Sequence, residues 1–393
     1  MRSFYESFSS RLDFIPFWRK PRQRGLAIYG FFHAENGLGK AARSLATAFE
    51  TTGLPTSSHN LKSGHTQNEI AFPCSAHIKN RLDAALLAIN ANAILPENLQ
   101  GLLDPSNLRN NRRIGLFFWE LPVFPGLWTR AIDTLEEVWV PTDFVATSLK
   151  TATTKTVRVI PLPVPINHLD QKTAREFLGL PPAVLMFLTV FDFSSYPARK
   201  NPIAVINAFS DAFPRHGDSS PVLIVKCHGS NFRGRYEQDL RMKCAENPNI
   251  ILIDKVLPES DILMLQAATD VFVSLHRSEG FGLNLAECMA AGKLVIGTNF
   301  SGNIDFMNET NSLLIDFDMR RVAYDEYIAG EGQWWADPKH ESAVEAFRRA
   351  SNDTTLRIKL GKAAQHDIKQ KLSYEVIGSL MARALGDTQN PEK

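Results

Sequence analysis

Apolar residues along this chain come in two alternating kinds of run. Short blocks rich in β-branched and aromatic residues are followed by longer stretches in which apolar positions return every third or fourth residue, the periods of buried strands and amphipathic helices. The first block, LAIYGFF from Leu26 to Phe32, predicts a buried strand. A glycine turn follows it. Leu38, Ala42, Leu45 and Phe49 then recur at helical spacing until Gly53 ends the run. IGLFFWE (Ile114 to Glu120), EVWVP (Glu137 to Pro141) and VRVIPLPV (Val157 to Val164) predict further strands, and Thr142 is placed to N-cap a helix between the last two.

The proline-rich stretch PLPVPINHLD, from Pro161 to Asp170, reads as a linker, after which the pattern restarts. AVLMFLTVFD, PVLIVKCH, NIILIDKV, VFVSLHR, KLVIGT and SLLID have strand character. NPIAVINAFSDAF, YEQDLRMKCAEN, ESDILMLQAA and LNLAECMAAG have helical character, as does most of the tail from His340 onward. Strand–helix alternation in both halves predicts two α/β domains with parallel sheets. The expected division is an N-terminal arm over 1–24, a first domain over 25–165, a second over 166–372, and a final helix and tail over 373–393.

Composition narrows the function classes. A chain of 393 residues suits two domains, and a net charge of +1 provides no field to recruit nucleic acid. Cys74, Cys227, Cys244 and Cys288 are scattered, with no CxxC spacing, which argues against disulfides and zinc and fits a reducing cytoplasm. The longest apolar stretch, VLMFLTVF, is far short of a bilayer span, and the N-terminus has no continuous apolar block of the secretory kind. Residues 1–24 carry six Lys/Arg against two acids, interleaved with Phe4, Tyr5, Phe8, Phe14, Phe17 and Trp18. Such a segment either lies on the anionic inner face of a membrane or folds back on its own domain, and composition leaves both open. Pro16 and Pro21 argue against one long helix there.

Two glycine loops are candidates for anion binding. In the first, Asn36-Gly37-Leu38-Gly39 joins a strand to a helix whose N-terminus offers unpaired N–H groups. It has only a G-x-G, without the full dinucleotide fingerprint, and reads equally as a tight turn. The second is sharper. His276-Arg277-Ser278-Glu279-Gly280-Phe281-Gly282 follows a strand and precedes the helix of LNLAECMAA. This places Glu279 at the carboxyl edge of a parallel sheet and Glu287 about one turn into the helix, at the edge where such sheets bind ligands. Amides at Gly282 and Leu283 could hold a diphosphate, and carboxylates accept hydrogen bonds from sugar hydroxyls. Two acids flanking a phosphate site suit a nucleotide sugar. Arg199 and Lys200, at a helix start, are a basic pair able to neutralise a leaving diphosphate. His276 at the loop rim and the weaker case His33 read either as structural residues or as contacts.

EGFGLNLAE, with its E-x7-E spacing, resembles the motif of the retaining glycosyltransferases of family four, and AECMAAGKLVIGTNFSGN resembles its continuation. FDFSSYPARKNPIAVINAF is similar to the family's segment bearing a basic pair at the donor diphosphate. Here Arg199 and Lys200 are adjacent, whereas in the commonest form the two cations are several residues apart. NGLGKAARSL, FFWELPVFP with EVWVPTDFV, and EGQWWADP resemble further segments of this group. SYEVIGSLMARAL resembles the final helix that crosses back to the N-domain.

The resemblance implies the GT-B fold, two Rossmann-like doubly wound domains facing across a cleft. It implies that Glu287 holds the donor ribose, that Glu279 faces the transferred sugar, and that Gly37, Gly39, Arg199, Lys200, His276, Gly280, Phe281, Gly282 and Leu283 belong to the donor site. Where many members carry a histidine near the sugar, this chain has Trp119-Glu120. Glu120 then reads as a catalytic contact to the donor sugar or acceptor, or else as a strand cap or arginine partner.

The implied activity is transfer of a hexose from a nucleotide diphosphate sugar, with GDP-mannose slightly favoured, to a glycan or lipid-linked acceptor in surface polysaccharide or glycoconjugate synthesis. Neither metal nor cofactor is expected. A GT-B epimerase or phosphorylase, a dinucleotide oxidoreductase, and a non-catalytic sugar-nucleotide-binding protein are the competing readings.

Overall fold

A computed structural model describes residues 23–61, 70–75, 82–103, 108, 111–166, 169–181, 183–215, 217, 220–229 and 234–386. Apart from Gln23 and Arg24, the basic aromatic arm lies outside them. Two six-stranded parallel sheets lie on either side of the proline-rich stretch. The first contains β1 (Gln23–Gly30), β2 (Thr56–Asn60), β3 (Leu82–Ala88), β4 (Arg112–Leu116), β5 (Glu137–Val140) and β6 (Thr156–Val159). Its connections carry α1 (Gly37–Glu50), α2 (Ala91–Ile94), α3 (Pro96–Leu102), α4 (Thr129–Asp133) and α5 (Asp143–Leu149). Thr142 does cap α5, its hydroxyl accepting from the Val145 amide at 3.3 Å. The linker leads into α6 (Gln171–Phe177).

The second sheet contains β7 (Met186–Val190), β8 (Val222–Cys227), β9 (Ile250–Asp254), β10 (Val271–Ser274), β11 (Leu294–Thr298) and β12 (Leu313–Ile315). With it go α7 (Pro197–Lys200), α8 (Pro202–Ala212), α9 (Arg235–Ala245), α10 (Glu259–Ala268) and α11 (Leu283–Ala290). An antiparallel hairpin follows, β13 (Phe317–Arg321) with β14 (Trp334–Pro338). The chain then runs through α12 (His340–Asn352), α13 (Thr354–Leu372) and α14 (Tyr374–Gly386). As expected of a crossover helix, α14 packs on α1 of the first domain.

Strand order positions the site. The second sheet runs β12-β11-β10-β7-β8-β9, the Rossmann order read from the far edge. The first runs β2-β1-β3-β4-β5-β6, the order of the other common doubly wound fold with one strand added. Order reverses between β1 and β3 in one sheet and between β7 and β10 in the other. The loops diverging at these two switch points face each other.

Three features depart from the sequence reading. No element was expected between Gly53 and Ile114, yet β2 and β3 lie there. Thr56–Asn60 is polar, and LDAALLA is a short Leu/Ala run whose strand character comes from burial in the sheet. The strand expected over 114–120 ends at Leu116, and the Trp119 indole closes the next turn by donating to the Val123 carbonyl at 2.8 Å. The hairpin, finally, carries Val322 and the fully buried Trp335 into the aromatic core of the first domain, beside Trp119 and Phe124. Large rings buried this way tie the two domains together.

Candidate active site

The two switch points enclose a cavity of about 550 Å³. From the first domain it is walled by Glu35 to Leu38, Lys40, Asn90, Phe118 and Glu120. From the second it is walled by Asp192, Arg199, Lys200, Lys226, His228, Val256, Glu259 and the loop from Glu279 to Leu285.

Glu279 is a buried residue of the cavity wall. Its carboxylate accepts from Lys200 Nζ at 2.5 Å and from Arg199 Nη1 at 3.1 Å, and its amide donates to Ser301 Oγ at 2.8 Å. Burial alone would raise its pKa. The two cations overcome that and pull it down to about 2, so it is ionised at any working pH. The cations reach it because α7 is stitched to the loop after β10: the Arg277 amide donates to the Arg199 carbonyl at 2.7 Å, and Asn201 Nδ2 donates to the Leu275 carbonyl at 3.0 Å. Tyr196 (φ 61), Asn201 (φ 53) and Ser301 (φ 74) bound these segments with positive φ. Such strain persists only where the surroundings over-determine it, and it clusters at functional sites.

The glycine loop leaves the sheet through Gly282, whose φ of +96 is open to few other residues. Gly282, Leu283 and Asn284, at the start of α11, line the cavity. The Phe281 ring turns the other way and packs 5.3 Å from Phe306. Gly280 abuts the Trp119 backbone, and its carbonyl accepts from Thr142 Oγ1 of the first domain at 2.8 Å. Opposite, Glu120 lies 4.0 Å from Arg199 and accepts from the Tyr327 hydroxyl. Burial and the Glu120 charge lift that phenol well above its ordinary pKa, so it remains a donor. Tyr327 comes from the segment between β13 and β14, and Arg199 lies 5.8 Å over its ring.

The expected residues are thus brought together unevenly. Gly37, Glu120, Arg199, Lys200, Glu279, Gly280, Phe281, Gly282 and Leu283 line the cavity. Gly39 does not. A Cβ there would meet the Ala34 carbonyl at 2.3 Å, so this glycine serves the close turn into α1. His276 stands behind the wall, fully buried, with Nδ1 3.0 Å from Ser274 Oγ and Nε2 2.9 Å from Asn303 Oδ1. Burial lowers its pKa and keeps it neutral, which suits a structural tie. His33 binds the Phe72 carbonyl at 3.2 Å and is likewise not in the wall.

Glu287 is also withdrawn from the cavity. It is ion-paired with Lys40 across the domain boundary, and its other oxygen accepts from Gln266 at 3.1 Å. Lys40 also reaches Glu259 at 3.3 Å. Burial opposes its charge, but the two carboxylates outweigh that and raise its pKa. Lys40, Glu259, Lys226 and Tyr327 were not singled out from sequence. Lys40 had a signal, a cation directly after the first glycine loop. Tyr327 had none, because its partner is remote in the chain.

Residues 190–367 match the family model described as "Glycosyl transferases group 1". No curated protein matches the chain. Among solved structures it is similar to sucrose-phosphate synthase from Thermosynechococcus elongatus, with 14% identity over 94% of this chain and 100% of that one and a TM-score of 0.70. A glycosyltransferase from Rickettsia africae gives 14%, 94%, 100% and 0.67. HepE of Anabaena, solved in complex with UDP and glucose, gives 12%, 93%, 100% and 0.65. At these identities the structures speak to the fold. The chain accordingly has the GT-B glycosyltransferase fold, and its second half carries a glycosyl transferases group 1 domain.

Proposed function

We propose that this chain is a retaining glycosyltransferase that moves a hexose from a nucleotide diphosphate sugar to a glycan or lipid-linked acceptor. The observation that carries the reading is the Arg199–Glu279–Lys200 cluster, set in the wall of an interdomain cavity beside the amides of α11. Two cations held by one buried carboxylate form a fixed positive surface for a departing diphosphate. Preorganised charge of this kind is usually the largest catalytic contribution. On this reading the two cations, with the amides of the loop, take the place of a metal.

For a retaining transfer, the same geometry favours front-side displacement over a covalent intermediate. Both Glu279 oxygens are held by cations, so Glu279 is not free to attack the anomeric carbon. The leaving phosphate oxygen is then the base that takes the acceptor's proton. Glu120, held by the Tyr327 hydroxyl on the first-domain side, contacts the transferred sugar or the incoming hydroxyl. Donor binding would draw Lys40 and Glu287 into contact with the nucleotide, and closure would exclude the water that would otherwise hydrolyse the donor.

The test is incubation of the full chain with radiolabelled UDP-hexoses and GDP-mannose, with and without a bacterial lipid extract. Label transferred only with the extract, in a product of unchanged anomeric configuration by NMR, is the expected result. Isomerised donor without acceptor would point to an epimerase, and turnover requiring inorganic phosphate to a phosphorylase.

A further inference from the structure

The wall of the cavity contains a lysine that neither the cluster at Glu279 nor the latch at Glu287 uses. Lys226 is the penultimate residue of β8 and is only 2% exposed. Its Nζ donates to the neighbouring Cys227 carbonyl at 3.2 Å and lies 3.5 Å from His228 Nδ1. Among the described residues it forms no ion pair. The nearby Asp192 is taken up by His228 at 3.4 Å and by the Ser194 amide and hydroxyl at 2.8 and 2.5 Å. Burial lowers the Lys226 pKa against the pull of Asp192 and Asp254. A buried ammonium normally has a carboxylate or a ligand to compensate its desolvation, and this one faces a cavity.

Topology says which part of a ligand meets it. Across the sheet edge, β8 lies between β7, which leads to Arg199 and Lys200, and β9, which leads to Val256, Leu257 and Glu259. A diphosphate at Lys200 with its sugar toward Glu279 and Glu120 extends its nucleoside toward β8 and β9. There Val256, Leu257 and Ile262 supply apolar wall for a flat ring. Resting on the nucleotide-sugar reading above, we infer that Lys226 is a specificity residue that donates to a keto oxygen of the donor's nucleobase. An ammonium only donates, so at the exocyclic position it accepts a carbonyl and opposes an amino group. Uracil, thymine and guanine have that carbonyl on the pairing edge, where adenine has an amino donor. The donor class is therefore an oxo-base nucleoside diphosphate sugar. Rejection of adenine rests on leaving buried polar groups unpaired, the strongest form of discrimination a site has.

The experiment measures binding of UDP, GDP, ADP and inorganic pyrophosphate to the full chain by calorimetry, in the wild type and in Lys226→Met. We expect UDP or GDP to bind at least about tenfold more tightly than ADP, and Lys226→Met to shrink that preference to within about threefold while pyrophosphate binding is unchanged. Should the variant fail to fold, the wild type is tested with an analogue of its preferred nucleotide that lacks the keto oxygen, which is expected to lose about tenfold. Equal binding of ADP, or a Lys226→Met effect of the same size on all four ligands, overturns the inference and leaves the glycosyltransferase reading standing. Failure of all four to bind the wild type overturns both.

Discussion

Lys40 of the first domain and Glu287 of the second form an ion pair across the cleft, with the carboxylate only 2% exposed. Glu287 is the acid that the family resemblance assigns to the donor ribose, and Lys40 lies between it and the cavity. On the proposed function, a ribose hydroxyl that binds Glu287 competes with Lys40 and displaces it toward the diphosphate. Lys40→Met is therefore expected to weaken nucleoside diphosphate binding about fivefold to thirtyfold and to flatten its salt dependence, read by calorimetry at low and high ionic strength. Tighter binding by the variant would make Lys40 a plain competitor of the ribose.

Removing the carboxylate instead leaves a cation stranded. Glu287→Ala is expected to lower the melting temperature, since breaking a buried pair costs several kcal/mol, about 3–5 when no other partner remains. Glu259 at 3.3 Å from Lys40 moderates this. Glu287→Gln should keep more stability but still lose transfer activity. Normal transfer by both variants would dismiss Glu287 from the site.

Lys200→Met should cut turnover by about 10²–10³ with the fold intact, the usual cost of losing one preorganised charge contact to a transition state. Retained turnover in single-turnover assays would move the diphosphate elsewhere.

Stability carries a pH signature of Glu279. Its folded pKa is depressed from 4.5 to about 2, so its contribution is fully present above the unfolded value and disappears as pH falls through the folded one. The melting-temperature gap between wild type and Glu279→Gln should thus be constant from about pH 6 to 8 and narrow only below about pH 4.5. A gap that changes near neutrality would mean that the carboxylate is not held by its two cations.

Tyr327→Phe deletes one hydroxyl that donates to the Glu120 side chain across the domain boundary. The expected loss is about tenfold in turnover, the worth of a charge-assisted hydrogen bond, with donor affinity unchanged. A change confined to donor affinity would place Glu120 on the nucleotide and not at the reacting sugar.

The crossover helix has its own test. A Cβ on Gly378 would meet the Ala48 carbonyl of α1 at 2.0 Å. Gly378→Ala should therefore cost about 1–3 kcal/mol by overpacking, seen as a drop of several degrees in melting temperature. An unchanged melting temperature would mean that α14 does not dock on α1 this closely.

How much of this was legible beforehand depends on the range of the interactions concerned. Strand–helix alternation is written in local periodicity, so the two parallel sheets and the run from β7 to β12 could be read directly. The loop from Glu279 to Leu283 could be read for the same reason, since its glycines, its acid and the following helix are neighbours in the chain. Local reading failed where burial overrides composition, as in the polar β2 and the Leu/Ala-rich β3, and at the end of β4, where the chain leaves the sheet after Leu116 and turns under the Trp119 indole.

The sequence alone determined the fold class and the chemical inventory of the cleft, because backbone period and turn chemistry act over a few residues. Only the tertiary structure decided how that inventory is deployed. It set Lys40 over Glu287, aimed Tyr327 at Glu120, withdrew His276 and Gly39 from the wall, and left Lys226 without an ion pair among the described residues. Each of these depends on which distant residue packing brings within hydrogen-bond reach, and no local pattern carries that information.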